Sequence, residues 1–147
     1  MKYAIKLIIL FTTIGILVIT SCSKKEHTVI EAAWPDGSPK RICVYFGSGE
    51  GRQLLKETTF YENRQKEIDG TYKDNLRDGQ WTVWYKNGNK WSEGFFKKGL
   101  NDGRRTTWYE NGKIRYEAWY REGIKIGKWR FFDEKGNLQF EKTYSVP

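Results

Sequence analysis

Apolar and polar side chains alternate in short segments along most of this chain, and residues that favour turns separate the segments. At 80–86 and 89–97, for example, two alternating segments flank the dipeptide Asn87-Gly88. A period of two is typical of β-strands, and these segments lack the spacing of an amphipathic helix. Trp, Tyr, Phe, Thr and Val, which favour strands, fill them. The pattern therefore predicts an all-β fold.

The alternating pattern repeats every 24 residues. The residues that keep this spacing form several columns: Gly79, Gly103 and Gly127; Gly88, Gly112 and Gly136; Gly99 and Gly123; Trp84-Tyr85 and Trp108-Tyr109; Phe96 and Tyr120; Glu93, Glu117 and Glu141. The period divides a repeat domain, 56–147, into units at 56–79, 80–103 and 104–127 and a truncated one at 128–144. With two strands per unit, it predicts an elongated antiparallel meander of β-hairpins, about eight strands over about 38 Å.

The Asn87-Gly88 dipeptide predicts a two-residue type I′ turn, because both central positions of that turn require positive φ. Paired residues across the hairpin then have numbers that sum to 175. This register places Trp81 opposite Gly94, where the large ring fills the space that the small residue leaves, and Tyr85 opposite Lys90. A three-residue turn would regroup the two faces.

The predicted register separates the aromatic side chains into two faces. The face that we expect to be packed carries Tyr61, Ile68, Tyr72, Trp81, Val83, Tyr85, Phe96, Tyr109, Ile114, Tyr116, Tyr120, Trp129, Phe131, Leu138, Phe140 and Tyr144. The other face carries rings interleaved with charges, which are typical of a flat surface that recognises a peptide or a sugar. Its candidate binding residues are Trp84, Trp91, Phe95, Trp108, Trp119 and Phe132. Alternatively, long Lys, Arg and Glu stems, or the leading segment, simply cover these rings.

The N-terminus has the pattern of a targeting segment. Lys2 and Lys6 precede an apolar run at 7–19, which as a helix reaches only about 20 Å of the roughly 30 Å hydrocarbon core. The run ends in Ile19-Thr20-Ser21-Cys22, which resembles the lipobox of a bacterial lipoprotein. The resemblance implies a cleaved signal peptide at 1–21 and a lipidated Cys22. An ordinary secretory signal or an uncleaved anchor are the alternatives.

Two segments separate the predicted signal peptide from the repeats. The mixed charge and irregular pattern of 22–33 predict a tether, in which His27 is a solvated residue. Turn-forming residues at 34–39 then open a degenerate leading hairpin, 34–55, with strands predicted at 41–46 and 54–61.

Composition excludes most catalytic and metal chemistry. The chain has one His and two Cys, and none of them lies in the repeat region. Zinc sites and Ser-His-Asp or Cys-His catalysis are therefore not expected there, and lipid on Cys22 leaves Cys43 without a disulfide partner. Glu93, Glu117 and Glu141 recur about 10 Å apart, near the spacing of inverting glycosidases. Repeat duplication explains them, so we expect no enzyme, no metal and no cofactor.

The charge balance bears on the partner. Removal of Lys2 and Lys6 with the signal peptide lowers the formal net charge from +8 to +6. In a cytosolic protein, basic charge among aromatic residues would suggest nucleic acid. Export removes that partner, so the sequence predicts a protein of the cell envelope, on the periplasmic or outer-membrane side. There the positive charge favours contact with anionic headgroups or acidic surface polymers.

The repeats resemble a known family. Ser92-Glu93-Gly94-x-Phe96-x-x-Gly99-x-x-x-Gly103 is similar to the MORN repeat, which has the pattern Tyr-Glu-Gly-x-aromatic-x-x-Gly-x-x-x-Gly. With the lipobox and the segment Trp108-Tyr109-Glu110-Asn111-Gly112-Lys113, the chain resembles the bacterial MORN-variant proteins grouped as YwqK-type antitoxins. The first unit departs from the family in having Arg64 at the turn glycine, so its turn is not expected to match the others.

Two functions of different class follow. The first is a non-enzymatic, lipid-anchored scaffold of the cell envelope that binds a protein or glycan through its sheet. The second, implied by the resemblance, is an antitoxin or immunity protein that neutralises a partner toxin. A toxin that acts at the envelope is compatible with the lipobox.

The lipobox generates the first prediction. Cys22→Ser removes the thiol that would carry the lipid, so the protein should be released or mislocalised and should no longer incorporate a labelled fatty acid. Cell fractionation and labelling of wild-type and variant measure both effects, with Cys43→Ser as the control. Unchanged labelling of the Cys22→Ser variant would contradict the lipoprotein interpretation.

Overall fold

A computed structural model describes residues 25–145, so the predicted signal peptide and Cys22 lie outside the described residues. Ten strands form a single sheet in chain order, with each strand antiparallel to the next. They are β1 (Glu26–Ala33), β2 (Pro39–Phe46), β3 (Gln53–Phe60), β4 (Lys66–Lys73), β5 (Leu76–Trp84), β6 (Lys90–Lys97), β7 (Leu100–Trp108), β8 (Ile114–Arg121), β9 (Ile124–Phe132) and β10 (Leu138–Tyr144). The predicted all-β meander is confirmed.

The tether predicted at 22–33 is wrong from Glu26 onward, because these residues form β1. The strand pairs along its length with β2, and its polar side chains find partners there. The His27 ring stacks on Tyr45 with centroids 5.9 Å apart. Glu31 accepts a hydrogen bond from the Tyr45 hydroxyl, which together with burial raises the pKa of Tyr45 to about 12. A polar segment can thus complete a sheet when the neighbouring strand supplies the partners.

The turn at Asn87-Gly88 differs from the predicted type I′ turn. The Gly88 amide donates to the Tyr85 carbonyl at 2.9 Å, the Tyr85 amide donates to the Asn89 carbonyl at 2.8 Å, and positive φ occurs at Gly88 alone. The loop therefore contains three residues, 86–88. The first unit has the same geometry, with Arg64 at φ 68° in place of the glycine, so the expectation of a different turn there is also wrong.

Type I′ dihedrals occur instead at the opposite ends of the hairpins. Both central residues have positive φ in Asp74-Asn75, Lys98-Gly99 and Glu122-Gly123. The Gly99 amide also donates to the Arg77 carbonyl at 2.8 Å, so this turn is bonded to the preceding hairpin.

The predicted register holds in the middle of the strands despite the longer loop. Trp81 pairs with Gly94 and Val83 with Ser92, as expected. Nearer the loop, Trp84 pairs with Lys90, so Tyr85 does not lie opposite Lys90. A bulge in β6 absorbs the extra loop residue between these two parts of the hairpin.

Bulges also explain one glycine column. Gly70 pairs with Trp81, and Tyr72 pairs with Arg77. Between these two pairs β4 advances by two residues and β5 by four, so β5 contains two extra residues and bulges. The extra residues include Gly79, whose φ of 85° favours glycine. The bulge glycines of β7 and β9, Gly103 and Gly127, also have positive φ.

One face of the sheet, which we call the ring face, carries Trp81 and Trp129, both buried. The Trp81 indole lies over Gly70, where an added Cβ would overlap it. The expected cover of Gly94 by Trp81 is therefore wrong, although the two residues are paired. Arg105 covers Gly94, with its Cγ 3.3 Å from where a Cβ would stand.

Side chains at the three-residue loops bond each hairpin to the next. The Tyr85 hydroxyl donates to the Trp108 carbonyl at 2.9 Å, and Asn87 Nδ2 donates to the Glu110 carbonyl at 3.1 Å. Tyrosine hydroxyls one unit away on either side make the same bond: Tyr61 to Trp84 at 2.7 Å and Tyr109 to Phe132 at 2.8 Å. At the loop between β1 and β2, the Trp34 indole N–H donates to the Phe60 carbonyl at 3.3 Å.

The last hairpin differs at its loop and at its outer strand. Asp133 stands at the position of Tyr109, and its carboxylate accepts bonds from the amides of Lys135 and Asn137 within its own loop. Leu138 and Phe140, which were expected to be packed, are 53% exposed because β10 has a neighbouring strand on one side only.

The unit-to-unit bonds predict that the sheet tolerates loss of one whole period. Deletion of 80–103 joins Gly79 to Arg104, and the Tyr61 hydroxyl can then bond to the Trp108 carbonyl instead of the Trp84 carbonyl. A folded, shorter sheet is expected by circular dichroism, with a cooperative thermal transition. Deletion of 80–91 is the control, because it removes half a unit and reverses the following strands. Equal folding of both variants would contradict this account.

Candidate functional site

A continuous polar row crosses the face opposite the ring face, which we call the ladder face. Successive cross-strand pairs, which share one face, link its members from β3 to β10. The row consists of Thr58, Asp69, Thr82, Glu93, Thr106, Glu117, Arg130 and Glu141. Thr82 and Thr106 separate the first three carboxylates from one another, and Arg130 separates the last two.

Asp69 shows how the carboxylates of the row are compensated. Its oxygens accept a 2.7 Å hydrogen bond from the Thr58 hydroxyl and lie 3.1 Å from Lys56 Nζ and 3.7 Å from Lys66 Nζ. Burial alone raises the pKa of Asp69, but the hydrogen bonds from Thr58 and Lys56 and the two positive charges outweigh it, and the pKa is lowered. The carboxylate is therefore held in its ionised form.

The three repeated glutamates each have a cation beside them. Glu93 accepts a 2.6 Å bond from Lys90, Glu117 contacts Arg104, and Glu141 lies 2.8 Å from Lys128. The hydrogen bond from Lys128 is the largest cause that lowers the pKa of Glu141. All four carboxylates of the row are thus paired, which leaves the centre of the ladder face without uncompensated negative charge.

Aromatic rings flank the polar row toward the three-residue loops. Trp84, Trp108 and Phe132 each lie two residues beyond a member of the row on the same strand, and therefore on the same face. Their own carbonyls accept the tyrosine hydroxyls described above, which fixes the backbone beneath them. Lys66 Nζ lies 5.7 Å from the Trp84 ring centroid, and Lys90 Nζ lies 5.7 Å from that of Trp108. These lysines thus approach both a carboxylate and a ring.

Phe95 and Trp119 flank the row on its other side, and both side chains are 45% exposed. The Cβ atom of each residue lies close to a bulge glycine of the next strand. The Cβ of Phe95 is 3.5 Å from where a Cβ at Gly103 would stand, and the Cβ of Trp119 is 3.8 Å from the same point at Gly127. The small residue allows the close approach, and the outer part of each ring remains open to solvent.

Trp91 does not belong to this surface, which corrects its assignment from the sequence. Its ring lies 6.3 Å from that of Tyr85, and it lines a pocket with Ser92 and Arg105 on the ring face. The β6 bulge is the cause, because it interrupts the alternation of side chains at this residue. The other five candidate rings lie on the ladder face as expected.

The face on which Trp91 lies depends on the loop type, which the sequence did not determine. An Asn-Gly dipeptide suits a type I′ turn, and it equally suits a three-residue loop whose last position needs glycine. The sequence also did not reveal the Thr58 and Thr106 positions as members of a polar row.

Comparison with known families gives matches at the same 24-residue spacing. Three segments of the chain, 77–98, 101–122 and 125–145, match a single family model. The model describes the MORN repeat variant, so these three segments are similar to that repeat. Each matched segment contains one hairpin of the sheet, β5–β6, β7–β8 or β9–β10. A comparison with curated proteins finds no match. The MORN resemblance is thus supported, whereas the resemblance to antitoxins stays a prediction.

The described residues offer two further observations. Residues 25–145 contain no helix that is long and apolar enough to cross a bilayer. Within that part of the chain, no three His, Cys, Asp or Glu side chains gather in an arrangement that could hold a metal ion.

Two tryptophans of β5 test the assignment of the faces. Trp81 is 4% exposed on the ring face, whereas Trp84 is half-buried on the ladder face. Trp81→Ala is expected to lower the free energy of unfolding by about 3–5 kcal/mol because it opens a cavity over Gly70. Trp84→Ala should lower it by about 1 kcal/mol. Denaturant titration measures both, and the reverse order would mean that the ladder face is the packed one.

Proposed function

We propose that this MORN repeat variant protein is a non-enzymatic, lipid-anchored scaffold of the bacterial cell envelope that binds a protein or glycan through its ladder face. The observation that carries this proposal is the arrangement of partly exposed rings on both sides of the polar row. Such rings offer a large contact area at low cost in side-chain entropy, and the row supplies hydrogen-bonding groups between them.

The electrostatics of the ladder face favour an uncharged polar partner. Every carboxylate of the row has a lysine or arginine within 4 Å, so a charged group added here would compete with the existing ion pairs. A neutral glycan, or a peptide segment without net charge, is able to stack on the rings and bond to the threonines and carboxylates without that competition.

The position at which the sheet starts determines how far a lipid anchor on Cys22 would lie from the first strand. Strand β1 begins at Glu26, four residues after the predicted lipidation site Cys22. Four extended residues span at most about 14 Å. A lipid on Cys22 would therefore hold the first strand close to the membrane surface, within reach of its headgroups, rather than at the end of a twelve-residue tether.

Photo-cross-linking in intact cells tests the binding face. A photoreactive phenylalanine analogue at Phe95 of the full chain is expected to capture an envelope protein or attach to cell-wall glycan. Trp91 is the matched control position, because its side chain is also 45% exposed but lies on the ring face. Mass spectrometry and glycan staining of the products distinguish the two partner classes, and a captured toxin would identify the protein as an antitoxin.

The yields of cross-linked product from these two positions can also contradict the proposal. Adducts of equal yield from Phe95 and Trp91, or none from Phe95, would show that the ladder face does not select a partner. Phe95→Ala should also reduce the yield from a photoreactive residue at Trp119, because both rings flank the same row.

A further inference from the structure

A pocket of about 300 Å³ opens on the ring face, on the side of the sheet opposite the proposed binding surface. It is lined by Trp91, Ser92, Arg105, Thr107, Arg115, Tyr116 and Phe131. Its volume is at the lower end of the range for small-molecule sites. The pocket therefore suits a ligand of about the size of one aromatic ring with a short substituent.

At one position of the pocket the repeat changes from Trp to Arg. Residues 81, 105 and 129 are equivalent in the 24-residue period, and they are Trp, Arg and Trp. Trp81 and Trp129 are 4% and 5% exposed and fill the ring face of their units. Arg105 covers Gly94 with its aliphatic stem, and a guanidinium stands where the other units have an indole.

Two polar atoms in this region are buried without a partner. Arg105 Nε and Thr107 Oγ1 make no hydrogen bond to any described residue. Thr107 is only 5% exposed. Arg105 Nη1 donates to Asn101 Oδ1 at 3.1 Å, which leaves the remaining donors of the guanidinium for a ligand. A buried polar group without a partner is unfavourable, so an acceptor that reached these donors would be stabilised.

The charge of the pocket is also uncompensated. Arg105 and Arg115 both line it, and neither forms an ion pair with a carboxylate of the described residues. The neighbouring Arg104 differs, because it points to the ladder face and pairs with Glu117. Two arginines with no acidic partner, beside aromatic walls, are complementary to an anion that has a flat apolar part.

We infer that this pocket binds the carboxylate of a small organic acid, with its flat apolar part against Trp91 and Phe131. The Arg105 guanidinium donates to the carboxylate through its free N–H groups, after a rotation of its flexible side chain exposes Nε. The Thr107 hydroxyl donates to the ligand, and Arg115 adds a second positive charge at the pocket. The site lies on the ring face, so it is independent of the proposed ladder-face partner.

Calorimetric titration with a charged probe and its neutral analogue tests the inference. The full chain in detergent micelles is titrated with 3-phenylpropionate and with 3-phenylpropanamide, and a blank with micelles alone is subtracted. The acid is expected to bind at least about tenfold more tightly than the amide, because the charge-assisted bonds to Arg105 are lost with the amide. Equal affinity for both probes, or no binding of the acid, would overturn the inference.

Adjacent arginines provide the matched variants. Arg105→Met keeps the aliphatic stem over Gly94 and removes the charge, and it should weaken binding of the acid at least about tenfold. Arg104→Met, one residue away on the ladder face, should leave it unchanged. A similar loss in both variants would show that the acid responds to net charge alone, which overturns the site.

Thr107→Val separates the ligand contact from a role in folding. The substitution removes a hydroxyl without a partner, so it should preserve or raise the melting temperature while it weakens binding of the acid. If Arg105→Met fails to fold, Arg115→Met at the same pocket replaces it in the titration. Undiminished binding by Thr107→Val and Arg115→Met together would overturn the inference.

Discussion

The hydrogen bond from a tyrosine hydroxyl to a carbonyl of the next hairpin is the side-chain contact that recurs from unit to unit and reinforces the strand ladder. The described residues form one sheet without a second layer, so neither face is buried against another sheet or a helix. Among the described residues, the largest side chain that is completely buried is only a cysteine, Cys43. Bonds such as Tyr85 to Trp108, together with the Asn87 amide, connect loops that the strand ladder leaves free. Stability is therefore distributed along the chain rather than concentrated in a core.

The fold was accessible from the sequence because strand period and repeat period agree. Alternation predicted strands, and the 24-residue step predicted that neighbouring hairpins are equivalent. The pair Trp81–Gly94 followed from the assumed turn and is correct, although the turn is not. A three-residue loop and a bulge in β6 compensate each other, so an error at the loop did not move the centre of the strands.

Parts of the candidate site were beyond sequence reasoning for specific reasons. Trp91 lies on the ring face because of a bulge, and bulges depend on loop geometry that Asn-Gly does not determine. Strand β1 was missed because His27 and Glu31 resemble solvated residues until Tyr45 is placed beside them. The lipid on Cys22 lies outside the described residues and stays a prediction.

The two faces differ in whether their charged side chains form ion pairs. On the ladder face, repeated carboxylates hold lysines and arginines in ion pairs, so rings and hydrogen bonds remain for recognition. On the ring face, the change from Trp to Arg105 leaves positive charge without a counterion among the described residues. Neighbouring residues of one strand, Arg104 and Arg105, therefore belong to surfaces of opposite chemical character.

The loop bonds also give the array a direction. Each hairpin donates to the one that follows it in the chain, and its own carbonyl accepts from the one before. At Asp133, an acceptor stands where the preceding units have the tyrosine donor, and it is satisfied by its own loop. That hairpin receives a neighbour but does not recruit another by this bond. The change from tyrosine to aspartate thus replaces a bond to another hairpin with bonds inside one loop, and a single side chain makes the difference.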